Sequence, residues 1–108
     1  MLYITTDFSY KTIEEGIKTI CPWVKIKHIT TDTALKKLGF VDCPPCCFSL
    51  DLSWGEFEDM MDELMQLEID AFNTPNGEMP SENDFSYKKY EKYGWLWDMF
   101  YNADIREE

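Results

Sequence analysis

Between Leu52 and Phe72 the sequence leaves little choice of local structure. Ser53 and Glu56 have the S-x-x-E spacing of a capping box, in which the hydroxyl accepts from an early backbone N–H and the glutamate reaches back to the N–H of the cap residue. Leu52 and Phe57 flank the box as the two halves of a hydrophobic staple. Stepping about 100° per residue from Phe57 puts Met60, Met61, Leu64, Leu67, Ala71 and Phe72 on one side. Glu56, Glu58, Asp59, Asp62, Glu63, Gln66 and Asp70 fall on the other. A helix with this stripe must lie on an apolar neighbour. Glu68 projects into the apolar arc and Ile69 towards the acidic side. Because an unpaired buried carboxylate is costly, this predicts a bend, an end near Leu67 or a partly exposed last turn.

The helix sits in a block of uniform charge. From Leu38 to Tyr87 there are twelve carboxylates and no lysine or arginine, whereas the other fifty-eight residues hold all ten basic residues and nine acids. The whole formal charge of −11 therefore comes from one stretch. Such segregation means either a solvated face or a surface for a basic partner. Like charges at i,i+3 and i,i+4, such as Asp59 or Glu58 with Asp62, cost about 0.2–0.5 kcal/mol each, so the face works against its own helix.

The 108 residues predict a single domain over 1–108, with 44% apolar and 16% aromatic residues to fill a core. No apolar run approaches the roughly 18 residues of a membrane span, and the first residues lack the basic and apolar regions of a signal peptide. The expectation is a cytoplasmic protein whose four cysteines are thiols or metal ligands. Its acidity argues against direct binding to nucleic acid or anionic membrane.

Along the chain, Leu2 to Thr5 alternates like a strand, and Ser9 is placed to cap a helix with Phe8 and Ile13 as its staple. Ile13, Ile17, Ile20 and Cys21 give that helix a buried stripe, and Pro22 stops it. Trp23 to Ile29 returns as a strand with Val24, Ile26 and His28 on one face. Together these suggest a βαβ unit, right-handed if its strands pair in parallel. A short helix through Leu35 and Leu38, a brief strand at Phe40 to Asp42 and a turn at Pro44-Pro45 follow. Cys47 to Leu52 then alternates with Phe48, Leu50 and Leu52 on one face. After a loop over Asn73 to Asn83, a last helix beginning near Ser81 or Asp84 carries Tyr90, Tyr93, Trp97, Phe100 and Tyr101 at helical spacing, with Gly94 a weak point for a kink.

Cys43-Pro-Pro-Cys46 has dithiol spacing but runs into a strand, so it lacks the helix N-terminus that lowers a catalytic thiol's pKa. Cys21, His28, Cys43 and Cys46 together would make a tetrahedral zinc set, although Cys21 and His28 are not a close-spaced pair. The competing reading packs Cys21 as a small apolar residue and His28 as a core-face histidine. No metal loop, H-E-x-x-H or phosphate cradle is present, and the single histidine lies in a strand without an adjacent acid. The expectation is a protein that is not an enzyme and takes no cofactor. Lys88, Lys89 and Lys92 are read as the polar face of the last helix, paired with carboxylates of the acidic one.

These features predict an α+β fold, a small sheet of three or four short strands opening β-α-β and packed against three main helices, the last aromatic-rich. In composition the chain is similar to small phage and mobile-element inhibitors of the anti-CRISPR and anti-restriction kinds. The expectation is a charge mimic that occupies the basic groove of a nucleic-acid-handling protein, through Glu56, Glu58, Asp59, Asp62, Glu63 and Asp70, with Trp95 and Trp97 as further contacts. Two alternatives stand beside it: a structural or regulatory domain, zinc-stabilised through Cys43 and Cys46, and a thiol oxidoreductase.

Overall fold

In a computed structural model, which describes residues 1–30, 36, 46–73 and 84–107, the chain forms an α+β fold. Strands β1 (Leu2–Thr6), β2 (Ile26–His28), β3 (Cys46–Leu50) and β4 (Asp104–Glu107) form one sheet in the order β2-β3-β1-β4. Each neighbouring pair is antiparallel. The helices are α1 (Tyr10–Ile20), α2 (Trp54–Phe72), α3 (Phe85–Tyr93) and α4 (Trp95–Asn102). The expected short helix through Leu38, the strand at Phe40 to Asp42, the Pro44-Pro45 turn and most of the Asn73 to Asn83 loop lie outside the described residues.

β1 and β2 run in the same direction, as a βαβ reading requires, but they are not neighbours. β3 lies between them and pairs antiparallel with both, Leu2 with Leu50 on one side and Ile26 with Leu50 on the other. Alternation reveals that a strand exists, not which strand will share its hydrogen bonds. Partners opposite one another share a face, so Leu2, Ile4, Phe48 and Leu50 all project to one side. There they join Ile13 and Ile17 of α1, Phe57, Met60 and Leu64 of α2, and Leu96, Met99 and Phe100 of α4 in one buried cluster. Central β3 is buried at every residue rather than at alternate ones, and Leu52 lies beyond its end while still in the core.

The start of α2 is as the sequence predicts. The Glu56 N–H donates to Ser53 Oγ at 3.2 Å and the Ser53 N–H to Glu56 Oε1 at 3.1 Å, with Leu52 and Phe57 both buried. Ser53→Ala is therefore expected to cost about 0.5–2 kcal/mol in urea denaturation. An unchanged midpoint would show that the cap does not hold this helix. α2 does not end at Leu67; it continues through Phe72 with the partly exposed last turn that the sequence predicts, Glu68, Ile69 and Phe72 being exposed while Ala71 is buried.

Three expectations are corrected. At α1, Ser9 occupies the cap position but makes no side-chain cap bond. Phe8 stacks on Trp95 at 4.9 Å, which takes it away from a staple role. The second strand is trimmed to three residues, and His28, although opposite Phe48 on the helix side of the sheet, is exposed there with its ring stacked on Tyr10 at 4.2 Å. The final aromatic helix, by contrast, breaks where the sequence marks its weak point, into two segments that meet at Gly94. Asp84 caps the first by accepting from the N–H groups of Ser86 and Tyr87 at 2.8 and 3.2 Å.

A Cβ at Gly94 would sit 2.7 Å from both the Tyr90 ring and the Tyr90 carbonyl oxygen. Ordinarily glycine to alanine within a helix gains about 1 kcal/mol. Here the forced contact reverses the sign, and Gly94→Ala is expected to lower stability by about 1–3 kcal/mol. A gain in thermal melting would show that the α3–α4 junction is not this tight.

Candidate functional site

The outward side of α2 is held rigidly from below by Phe57, Met60, Leu64, Leu67 and Ala71, all buried. Every acid of α2, Glu56, Glu58, Asp59, Asp62, Glu63, Glu68 and Asp70, is exposed, and all but Glu68 belong to this side. None takes part in an ion pair among the described residues, where the three pairs are Lys18 with Glu14, Lys92 with Glu15 and Arg106 with Asp104. The expected pairing of the α3 lysines with α2 is thus not observed. Lys92 turns to α1 instead, and α3 meets α2 through rings, Phe72 lying 6.1 Å from Tyr87 and 5.4 Å from Tyr90.

The six carboxylates singled out from the sequence divide into two groups. Glu56 is committed to the capping box, and Asp70 accepts from Gln66 Nε2 at 2.7 Å within the helix. Glu63 is clamped across forty residues of sequence, both its oxygens accepting from the Trp23 indole N–H at 3.1 Å. Cys21 lies near Glu63, and burial first and then that carboxylate push its thiol far above the usual range. Glu58, Asp59 and Asp62 have no such engagement among the described residues. At i, i+1 and i+4 they form one patch, with Asp62 about 6 Å along the axis from Glu58. One turn earlier, on the side of Glu58, Trp54 is 44% exposed, its ring edge-on to Phe57 at 5.7 Å. Sequence reasoning missed Trp54. The available signal was its position before the first buried residue of the stripe.

The other two predicted contacts are placed less favourably. Trp95 is half-buried, its indole N–H donating to the Lys92 carbonyl at 2.9 Å and its ring on Phe8, so it acts as part of the framework. Trp97 is also half-buried and stacks at 5.1 Å on Tyr101, which is 71% exposed and is the more available aromatic. On α3, Tyr90 is raised above its ordinary pKa by burial first and then by Glu68 and Asp98 nearby.

The zinc set is not assembled among the described residues, where no three His, Cys, Asp or Glu side chains are grouped to hold an ion. Cys21 lies against Glu63, whereas Cys46 stands opposite Thr6 on β3, and Cys43 lies outside the described residues. Burial pushes the Cys46 thiol up and that of Cys47 to about 11, the direction opposite to thiolate activation. Beside His28, the Tyr10 hydroxyl donates to Glu14 at 2.7 Å. Burial and that bond raise Tyr10 to about 12, and the same bond holds Glu14 below its usual value. This stacked, charge-paired cluster ties α1 to β2.

Among the described residues no helix is long and apolar enough to cross a membrane. The chain matches no protein-family model, no curated protein and no solved structure.

Proposed function

We propose that this is a binding protein, without catalytic activity, that acts in the cytoplasm as an inhibitor of the phage or mobile-element kind. It places the outward face of α2 in the basic groove of a nucleic-acid-handling protein. The observation that supports this reading is the patch of Glu58, Asp59 and Asp62, three exposed carboxylates without a partner among the described residues, on a helix that is capped and buried on its other side. The helix tolerates like-charge repulsion of about 0.2–0.5 kcal/mol per close pair at this patch. A fixed row of negative charge with no neighbouring cation presents to lysine and arginine what a row of phosphates presents. Trp54 beside it supplies the large amphipathic side chain that commonly anchors an interface. The test is a competition assay on a captured partner, with DNA or RNA as competitor and the Glu58, Asp59 and Asp62 variants as controls.

A further inference from the structure

On the sheet face turned away from the helices, Tyr3, Lys25, Lys27, Ile29, Ser49 and Asp51 line a cavity of about 500 Å³. That size lies within the range of small-molecule sites. Lys25 and Lys27, two residues apart on an extended backbone, project to the same side about 7 Å from one another along the strand. The bond from the Asp51 N–H to the Lys25 carbonyl carries the β2–β3 ladder out to Lys25. Both lysines are exposed, and neither forms an ion pair among the described residues.

Ser49 stands opposite Lys27 in the register and is 5% exposed. No hydrogen bond engages its hydroxyl, and no fully buried polar side-chain atom lacks a partner among the described residues. The unpartnered oxygen must therefore be the part of Ser49 that opens on the cavity it lines. A recessed hydroxyl opposite one lysine and near a second, neither of them in an ion pair among the described residues, is a donor set for an oxyanion. Asp51 offsets one of the two positive charges, which leaves a local excess of +1 in a chain of −11.

We propose that this cavity binds a small organic anion, a phosphate or carboxylate group carried on an apolar body. Lys25 and Lys27 neutralise the charge, the Ser49 hydroxyl donates to the oxyanion, and Ile29 with the Tyr3 ring forms the wall against which the body rests. The site is separate from the acidic face of α2, which lies on the helix side of the sheet, and does not depend on the partner proposed for it.

The test is a ¹H–¹⁵N NMR titration of the full chain with phenyl phosphate and, separately, with benzoate. The expected result is saturable shifts of the Lys25, Lys27 and Ser49 amides by about 10 mM ligand. Saturation by phenyl phosphate alone assigns a phosphate site, and saturation by both extends it to carboxylates. Lys25→Gln with Lys27→Gln is expected to weaken binding at least ~10-fold, and Ser49→Ala about 3- to 10-fold, each with the dispersion of a folded spectrum. Shifts that fail to saturate, that spread equally to Lys11, Lys88 and Lys89, or that persist unchanged in the double variant would overturn the proposal.

Discussion

Reversing Glu58, Asp59 and Asp62 to lysine together is expected to weaken binding of the basic partner at least ~100-fold, about 2.8 kcal/mol, while the fold is retained. The choice of residues follows from what each carboxylate already does. Glu56 holds the cap of α2 and Glu63 holds the Trp23 indole, so reversing either would damage the fold and leave a loss of binding uninterpretable. The three chosen side chains form no hydrogen bond or ion pair among the described residues. Neutralising them with Gln, Asn and Asn relieves four close repulsions, Glu56 with Asp59, Glu58 with Asp62, and Asp59 with both Asp62 and Glu63, and is expected to stabilise the protein by about 0.8–2 kcal/mol. Thus stability should rise slightly while binding falls, an opposition that general unfolding cannot produce. Glu91→Lys, on the exposed side of α3, is the charge-matched control and should bind as the parent does. Glu14 and Glu15 would be poor controls, since they bond Tyr10 and pair with Lys92. Binding should also weaken steeply with salt, because exposed charges are screened beyond about 8 Å at physiological ionic strength. A triple reversal that binds as tightly as the parent, with no displacement by nucleic acid, would refute the mimicry reading and direct attention to Tyr101 and Trp97.

The elements defined by local chemistry were legible in the sequence. The α2 capping box depends on residues three apart, the break at Gly94 on one residue type, and the α2 stripe on periodicity alone. Elements defined by a distant partner were not. β4 contains one apolar residue, Ile105, in Asp-Ile-Arg-Glu, and becomes a strand because β1 offers it a ladder from Leu2 to Thr5. Helical spacing kept Phe8 on α1 because nothing local shows that Trp95 will arrive beneath it. The candidate site was legible to the same degree. Spacing showed which acids face outward, but the use of Glu63 by Trp23 is a contact across forty residues, and only the folded chain separates the committed carboxylates from the available ones.

The largest effect on stability is expected at Phe48, where Phe48→Ala should remove about 3–5 kcal/mol. Phe48 is fully buried on central β3, between β1 and β2. Its ring meets Phe100 of α4 edge-on at 6.1 Å and Tyr10 of α1 at 6.4 Å, and Phe100 in turn meets Phe57 of α2 at 5.9 Å. One side chain therefore joins the sheet to α1 and α4 directly and to α2 through Phe100, and aromatic pairs of this geometry contribute about 0.5–1.5 kcal/mol beyond the area they bury. Truncation leaves a cavity that the neighbouring strands cannot close without breaking ladders on both sides of β3. Against a total stability of about 5–15 kcal/mol for a domain, a loss of this size should lower the melting temperature by about 15–30 °C and leave a marginal fold. Phe85→Ala, at a ring that is 80% exposed, should change stability by less than about 0.5 kcal/mol and serves as the matched control. If the two substitutions melt within a few degrees of each other, Phe48 does not occupy the centre of this core, and the placement of β3 between β1 and β2 is wrong.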